Sequence, residues 1–328
     1  MVEISSVNSS DVREWASAVN LGRKLTEEQK NISESVDAWA KSLAKGNDGN
    51  SEIAAFISKT MEDTTYNYEQ NPLNMMLDED SVGEFDDYEI VKKPKNTLLA
   101  YEAPRGGNVD KSYIDFSAIR PTWKHLQVET EIKYSDLKRN GFKSIATLTE
   151  FAQEALLNKK LAVAYNAALA AHGAPTISIS GGATALTKTA MDELSLFVLD
   201  SVEAGDTPFV FGLNKYAQAI ANMSGYTSFM SDKMKDDYNK FGLVKEYGGM
   251  LIAGFSANKK TADGNTVIPD QKLIAVAGKC GVMAERGELE IFQTPNNNAE
   301  KYDLKFSGAD FGVLITKPEK VNYISFTA

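Results

Sequence analysis

The side chains best suited to chemistry in this 328-residue chain are few and widely spaced. His125 and His172 are the two histidines, and Cys280 is the single cysteine. A cysteine nucleophile needs a base beside it, and the sequence places none near Cys280. We predict that His172 caps or packs the end of a helix, where a cation interacts well with the helix dipole. We predict a surface or interface role for His125.

The sequence also lacks the short motifs that mark common active sites. It contains no H-E-x-x-H, no G-x-S-x-G, no Walker loop and no G-x-G-x-x-G after a predicted strand. Gly278-Lys-Cys-Gly281 resembles none of these and is typical of a turn between strands. We therefore predict a protein that is not an enzyme, with no catalytic residue, cofactor or metal site.

Acidic clusters are the remaining candidates for metal chemistry. Asp78-Glu79-Asp80 and Asp86-Asp87 could hold divalent ions loosely, but a solvated acidic segment is the favoured interpretation. Asp263-Gly-Asn265 lacks the acidic spacing of a calcium loop and is expected to be a turn.

Charge is unevenly distributed along the chain. Residues 1–90 carry 19 acidic and 7 basic side chains, whereas the whole chain has a net charge of −10. Ten carboxylates and no basic residue lie between Glu62 and Glu89. The following stretch, Val91 to Lys143, has 11 basic and 6 acidic groups. These stretches could pair within the chain or between neighbouring copies, or each could be a solvated surface.

Composition indicates an ordinary soluble protein of about two domains, with 43% hydrophobic and 24% charged residues. No apolar run is long enough to span a bilayer, and the N-terminus does not resemble a secretory signal. A single cysteine excludes an intrachain disulfide and fits a reducing compartment. No basic stripe with interleaved aromatic residues indicates specific nucleic-acid binding.

The element that must position everything else is a long predicted helix from Thr147 to His172. Thr147 and Glu150 form a T-x-x-E capping box at its start, and Gly173 is the expected stop. Alanine and leucine dominate the interior, and charge is confined to the first half. We therefore expect the second half to be buried on most sides and the helix to serve as a beam for packing.

The remaining elements predict an α+β fold with a β-rich end. Residues 1–62 are predicted to form polar helices, one of which begins with a Thr26–Gln29 capping box. Residues 63–83 are predicted to be extended. Helices are expected from about Lys188 and Asn214, and Gly225 to Gly249 is expected to be a surface loop. The predicted later strands begin at Pro208, Met250, Leu273, Leu289, Tyr302, Phe311 and Val321.

Between Glu84 and Ile132, short β-type runs flank a flexible tip at Ala103–Asp110. The run Leu126–Ile132 alternates strictly between apolar and polar residues. This segment is predicted to be a long two-stranded excursion with no evident partner nearby in the chain. Because an isolated hairpin is marginal in water, we expect contact with another subunit.

The order of elements resembles the major capsid proteins of tailed bacteriophages, with the Hong Kong 97-type fold. The resemblance covers about residues 84–328. It is carried by QEALLNKKLAVAYNAALAAHGAP, TKTAMDELSLFVLD, PFVFGLNKYAQAI, GGMLIAGFS and the closing run from VMAERGELEIFQTPN to the C-terminal strands.

The resemblance implies a division of the chain into structural units. It implies an N-terminal arm (1–83), an extended loop overlapping a neighbouring subunit (84–132), a peripheral domain (133–175 and 283–316) with spine helix 147–172, and an axial domain (176–282 and 317–328). Contact between the acidic arm of one copy and the basic loop of another would supply charge complementarity. The candidate intersubunit contacts are Asp78, Glu79, Asp80, Asp86, Asp87, Lys92, Lys93, Arg105, Lys111, Arg120 and Trp123.

The function implied is self-assembly, as pentamers and hexamers, into an icosahedral shell around double-stranded DNA. Its expected location is the virion, after synthesis in the host cytoplasm. Expected partners are portal and scaffolding or other head proteins, with packaged DNA contacted non-specifically and no membrane. The alternatives are an encapsulin-like compartment shell, an enzyme of unrecognised class, or another phage component such as a tail or decoration protein.

Overall fold

The computed structural model describes Trp15, Ala18 and residues 24–43, 72–84, 86–91, 98, 100, 102, 118–140, 142–175, 177–224, 230–242, 244–287 and 289–327. Helices α1 to α7 span Glu27–Leu43, Pro72–Met76, Tyr134–Asn140, Phe142–His172, Lys188–Ser201, Asn214–Ala221 and Asp232–Phe241. Strands β1 to β7 span Leu77–Val82, Ile90–Val91, Ala118–Ile119, Thr122–Lys133, Ile177–Ser180, Phe209–Leu213 and Glu246–Tyr247. Strands β8 to β13 span Met250–Phe255, Lys272–Val276, Gly281–Arg286, Glu290–Asn296, Lys301–Ile315 and Val321–Thr327.

The first large sheet has five strands arranged around the 15-residue strand β12. Antiparallel β4 follows one side of β12 for most of its length. On the other side, β11 pairs with residues 301–307 and β10 with residues 310–315, and β1 adds to β10 in parallel. One face of this sheet packs against α4, and buried Ile132, Tyr302 and Phe306 lie in the adjoining core.

The second large sheet has six strands in the order β5-β13-β9-β6-β8-β7. Its central strands are apolar because they are covered by helices, among them α5 and α6. Every residue of β6 is buried. Three connections join this sheet to the first: α3 and α4 lead from β4 to β5, and shorter segments lead from β9 to β10 and from β12 to β13.

Helix α4 contacts both sheets, as expected for a central beam, but it is longer than predicted. It has 31 residues and begins at Phe142, so the predicted cap residue Thr147 lies inside it. The reason is that the apolar period continues upstream through Ile145, which is 1% exposed. The predicted end is confirmed, because Gly173 adopts φ +85° and donates its N–H to the Leu169 carbonyl at 3.0 Å.

The capping box that opens α1 is also confirmed. The N–H of Gln29 donates to the Thr26 hydroxyl at 3.3 Å, and the N–H of Thr26 donates to the Gln29 side chain at 3.1 Å. The apolar face of α1 packs on a core that includes Trp15, Leu137 and Ile145. Helix α1 therefore lies against the core between the first sheet and the start of α4.

Four expectations from the sequence require correction. Residues 63–83 are predicted to be extended, but Pro72–Met76 form the short helix α2. Residues 225–249 were expected to form a surface loop, but they include α7, which Ser231 caps and Gly242 ends in the left-handed conformation. The run Leu126–Ile132 was assigned to an excursion without an in-chain partner, whereas it lies in β4 and pairs with β12. The two separate closing strands predicted from Tyr302 and Phe311 are the single strand β12.

Candidate functional site

The candidate contact residues converge where the predicted loop leaves the first sheet. Strands β2 and β3 pair there, with Ile90 opposite Ile119 and Val91 opposite Ala118. This two-stranded stem brings the acidic stretch beside the start of β4. We call the surrounding polar and aromatic side chains the loop-base cluster: Asp80, Tyr88, Trp123, His125, Arg286, Ser307 and Asp310.

Trp123 is held by the register between β4 and β12. It pairs with Gly312, whose lack of a side chain makes room, since a Cβ there would lie 3.1 Å from the indole ring. The Arg286 guanidinium lies 4.8 Å from the centre of the Trp123 ring, a cation–π distance. Tyr88 approaches the same ring at 6.2 Å between centroids. Trp123 therefore joins the loop stem to β10 and β12.

Asp310 organises the charged part of the cluster. Arg286 donates to one of its carboxylate oxygens at 2.7 Å, and His125 Nδ1 lies 3.0 Å from the other. The hydrogen bonds from Arg286 and then His125 hold the pKa of Asp310 below its ordinary value. The second ring nitrogen of His125 lies 3.0 Å from the Ser307 hydroxyl, so both imidazole nitrogens are engaged.

This charged group sits at an irregularity in β12. The register with β4 shifts between Ser307 and Asp310, as in a β-bulge. A Cβ at Gly308 would lie 2.9 Å from the Leu126 carbonyl oxygen, so the chain needs a small residue there. The bulge turns Ser307 and Asp310 toward the same histidine.

Two further contacts connect the acidic stretch to its surroundings. The Tyr88 hydroxyl donates to Asp80 at 2.7 Å, and burial together with this bond raises the pKa of Tyr88. Arg120, just before β4, donates from Nε to Glu89 at 3.0 Å. This bond raises the pKa of Arg120, with a smaller contribution from the charge of Asp87. One acidic–basic pairing expected from the sequence thus occurs within the chain, although both partners are largely exposed.

These contacts fix the base of the loop to the first sheet. The Asp310 carboxylate is paired with Arg286, and His125 bridges Asp310 and Ser307. Cys280 is buried at the sheet junction beside the Met76 carbonyl, and burial raises the pKa of its thiol to about 12. Among the described residues, no group of three or more metal-ligating side chains could hold an ion.

The predicted contact residues have different outcomes. Asp80, Arg120 and Trp123 lie in or beside the loop-base cluster, and Asp78 forms an ion pair with Lys279. Glu79, Asp86 and Asp87 are exposed nearby. Lys92, Lys93, Arg105 and Lys111 lie outside the described residues. His172 packs edge-on against Phe197 and Tyr323, at 6.3 and 5.7 Å between ring centres.

Sequence reasoning missed Arg286, Ser307 and Asp310. Arg286 and Asp310 are brought opposite each other by the pairing of β10 with β12. Nothing in the local sequence fixes that register. The one available signal was Arg286 itself, which ends β10. An arginine in a sheet needs an acidic partner, but the sequence does not say which one.

No protein-family model and no curated protein matches this sequence. Solved structures do match. The capsid of cyanophage P-SCSP1u aligns with a TM-score of 0.50 and 13% identity, covering 78% of this chain and 88% of that chain. The capsid of a native GTA particle aligns with a TM-score of 0.53 and 12% identity, covering 78% and 90%. A virus-like particle from Pyrococcus furiosus aligns with a TM-score of 0.50 and 12% identity, covering 85% and 100%.

The alignments span most of both chains in each case, so they concern the whole architecture and not one motif. The chain therefore has the α+β, Hong Kong 97-type fold of tailed-phage major capsid proteins. Helix α4 covers residues 142–172, and strands β2 and β3 pair within residues 84–132. Within the described part of the chain, no helix is long and apolar enough to cross a membrane.

Proposed function

We propose that this chain is the major capsid protein of a tailed phage and that it assembles into an icosahedral shell of pentamers and hexamers. The observation that carries the proposal is the similarity to capsid chains over most of the described architecture. A capsid subunit needs large surfaces for contact with its neighbours. A shell can be stable although each contact is weak, because many copies add their contacts.

The finer assignments belong to the same proposal. The residues before β1 serve as the arm, the segment between β1 and β4 as the overlapping loop, and the two sheets as the cores of the peripheral and axial domains. The shell encloses double-stranded DNA and contacts it non-specifically, because a net charge of −10 does not favour tight binding to phosphates. Portal and scaffolding proteins are its partners in the head. The chain is made in the host cytoplasm and resides in the virion.

Particle formation tests the proposal directly. Purified protein should form, or be convertible to, particles on the order of tens of nanometres wide, visible by negative-stain microscopy and light scattering. A protein that stays monomeric or dimeric across salt and pH would overturn it.

A charge-reversal pair tests the role of the acidic stretch in the same assay. Asp86 is exposed beside the loop stem, whereas Glu300 is exposed in a turn after β11. Asp86→Lys should lower the particle yield several-fold without changing the melting temperature, and Glu300→Lys should leave both unchanged. Equal particle yields for the two variants would remove Asp86 from the proposed contacts.

The second candidate function is a shell that encloses something other than a phage genome. Its specific support is the similarity to the Pyrococcus furiosus virus-like particle, of which the alignment covers 100%. Particles that are purified from the native source and contain protein instead of DNA would favour this candidate.

A further inference from the structure

Three side chains of the loop-base cluster form a continuous line of hydrogen bonds. Nδ1 of His125 lies 3.0 Å from a carboxylate oxygen of Asp310, and Nε2 of the same ring lies 3.0 Å from the Ser307 hydroxyl oxygen. In the tautomer whose Nδ1–H donates to Asp310, Nε2 accepts the hydrogen bond from the Ser307 hydroxyl. A hydroxyl bonded to a base that a third group orients is the arrangement that activates a serine as a nucleophile.

The register between β4 and β12 places these three side chains on one face of the first sheet. Asp310 is opposite His125, and Ser307 is opposite Gln127. His125 and Gln127 are two residues apart on β4, so their side chains point to the same face. The intervening Leu126 is buried. The polar line therefore lies on the face that is turned away from the core.

Arg286 fixes the orientation of the carboxylate. It donates at 2.7 Å to the Asp310 oxygen that His125 does not contact, so the other oxygen is left for the imidazole. The guanidinium is itself held against the ring of Trp123. The side chain of His125 is 50% exposed, so a small solute can reach the imidazole from water.

The bulge in β12 supplies backbone N–H groups beside the serine. Gly308 and Ala309 lie opposite the single residue Leu126, and neither has a partner residue in the described strand pairings. The N–H of the residue that follows a nucleophilic serine is a common donor to the oxyanion of acyl transfer. Gly308 holds that position after Ser307.

An exposed aromatic ring near the serine indicates the kind of substrate. Glu290 of β11 pairs with Ser307, and Phe292 follows two residues later on the same face. Phe292 is 51% exposed and lines a groove of about 610 Å³ together with Glu129 and Glu131. The ring can hold an apolar acyl group, whereas the carboxylates repel an anionic one. An uncharged ester of an apolar acid fits these surroundings.

We propose that Ser307 and His125, with Asp310 as the positioning residue, hydrolyse uncharged esters of apolar carboxylic acids. The Ser307 oxygen attacks the ester carbonyl carbon, and its proton passes to Nε2 of His125. The bond from the carbonyl carbon to the alcohol oxygen then breaks, and the alcohol leaves with that proton. Water attacks the acyl-serine in the same way, which releases the carboxylic acid and restores Ser307. This activity is independent of the proposed shell assembly.

Covalent labelling of the parent chain tests the nucleophile. A fluorophosphonate, which loses fluoride when an activated serine attacks its phosphorus, should label Ser307, as mapped by peptide mass spectrometry. His125→Gln should slow labelling about 100-fold, because the amide cannot accept the proton. Ser178→Ala, at an exposed serine of β5, is the matched control and should leave labelling of Ser307 unchanged. An unlabelled Ser307 in the parent, or equal labelling in folded His125→Gln, would overturn the proposal.

Hydrolysis of p-nitrophenyl butyrate separates the roles of the supporting residues. Turnover by the parent should exceed that of Ser307→Ala, and Asp310→Asn should lower kcat about tenfold or more with little change in KM. Phe292→Ala should instead raise KM several-fold and leave kcat nearly unchanged. Equal turnover by the parent and Ser307→Ala would overturn the proposal. Particle formation is measured separately, so particles without ester hydrolysis defeat this inference alone, and hydrolysis by a chain that never assembles defeats only the proposed function.

Discussion

Strand β6 of the six-stranded sheet is buried at all five residues, whereas β11 of the five-stranded sheet alternates between exposed and half-buried residues. The same contrast appears in the aromatic residues. Phe209 and Phe211 stack at 5.6 Å in the core of one sheet, while Phe292 of the other faces outward. The centre of the six-stranded sheet is therefore stabilised by its own core, and the outer strand β11 of the five-stranded sheet retains surface that further contacts can cover.

The charged groups follow the same division. At the junction beside the six-stranded sheet, Lys320 is 3% exposed and its ammonium lies 2.5 Å from Asp206 and 3.1 Å from Glu203. Burial opposes the charge of Lys320, but these hydrogen bonds outweigh it and raise its pKa. The ion pairs on the outer face of the five-stranded sheet, such as Lys305 with Glu129, are more exposed. Exposed pairs contribute little stability and stay available for partners.

The largest predicted effect removes the element that both sheets share. Ala164 is fully buried in α4. Ala164→Pro removes an interior helix hydrogen bond and costs about 3 kcal/mol or more, so it should abolish soluble folded protein and particles. Ala164→Gly should cost about 1 kcal/mol and leave a folded chain. Circular dichroism and sedimentation would measure both, and normal particles from the proline variant would show that α4 is not the common support.

The next prediction compares the two sheets through one phenylalanine-to-alanine substitution in each. Phe211→Ala should lower the free energy of unfolding by about 3–5 kcal/mol, because it leaves a cavity in the buried sheet. Phe292→Ala should change it by about 0.5 kcal/mol or less, because its ring already faces water. Chemical denaturation of unassembled protein measures both. Similar losses would mean that the five-stranded sheet depends on Phe292 for its own stability.

Much of this contrast could be predicted from the sequence. Phe209–Leu213 is a continuous apolar run, which is typical of a strand covered on both faces, and Leu126–Ile132 alternates, which is typical of a strand covered on one. The end of α4 was predictable because Gly173 gives a local signal. Its beginning was not, because the Thr147–Glu150 box also fits an ordinary exposed helical turn.

The pairing of distant strands could not be predicted, and it determines the candidate site. Asp310 meets Arg286 through one register and His125 through another, with a bulge between Ser307 and Asp310. Each register depends on packing against α4 and on small residues such as Gly312, not on local propensity. The order of elements is enough to predict the fold, whereas the loop-base cluster is formed by pairing between strands that are distant in the chain.

The next prediction compares a buried lysine with an exposed one, and the expected loss of stability is smaller than for the phenylalanines. Lys320→Met leaves Asp206 without its buried cation and should cost about 2 kcal/mol. Lys279→Met removes the exposed pair with Asp78 and should cost less than about 1 kcal/mol. Denaturation midpoints at neutral pH would separate the two. A larger loss of stability from Lys279→Met would contradict the conclusion that the buried ion pair of Lys320 contributes more than the exposed pair of Lys279.

The smallest predicted effect is a pH dependence at the same junction. Lys317 donates to both Glu203 oxygens at 2.7 Å, and with Lys320 it lowers the pKa of Glu203 from 4.5 to about 2. A carboxyl whose folded pKa is lowered contributes stability above pH 4.5, and this contribution is lost as the pH falls toward 2. Glu203 is 56% exposed, so solvent screening limits the contribution to less than about 1 kcal/mol.

Glu203→Gln should therefore be slightly less stable than the parent at pH 7, and the difference should shrink between pH 4.5 and 2. Unfolding curves at several pH values measure it, with Glu300→Gln as the exposed control that forms no ion pair among the described residues. Equal stability of the parent and Glu203→Gln at pH 7 would mean that Glu203 gains nothing from the two lysines, and the junction would then resemble the exposed face of the five-stranded sheet.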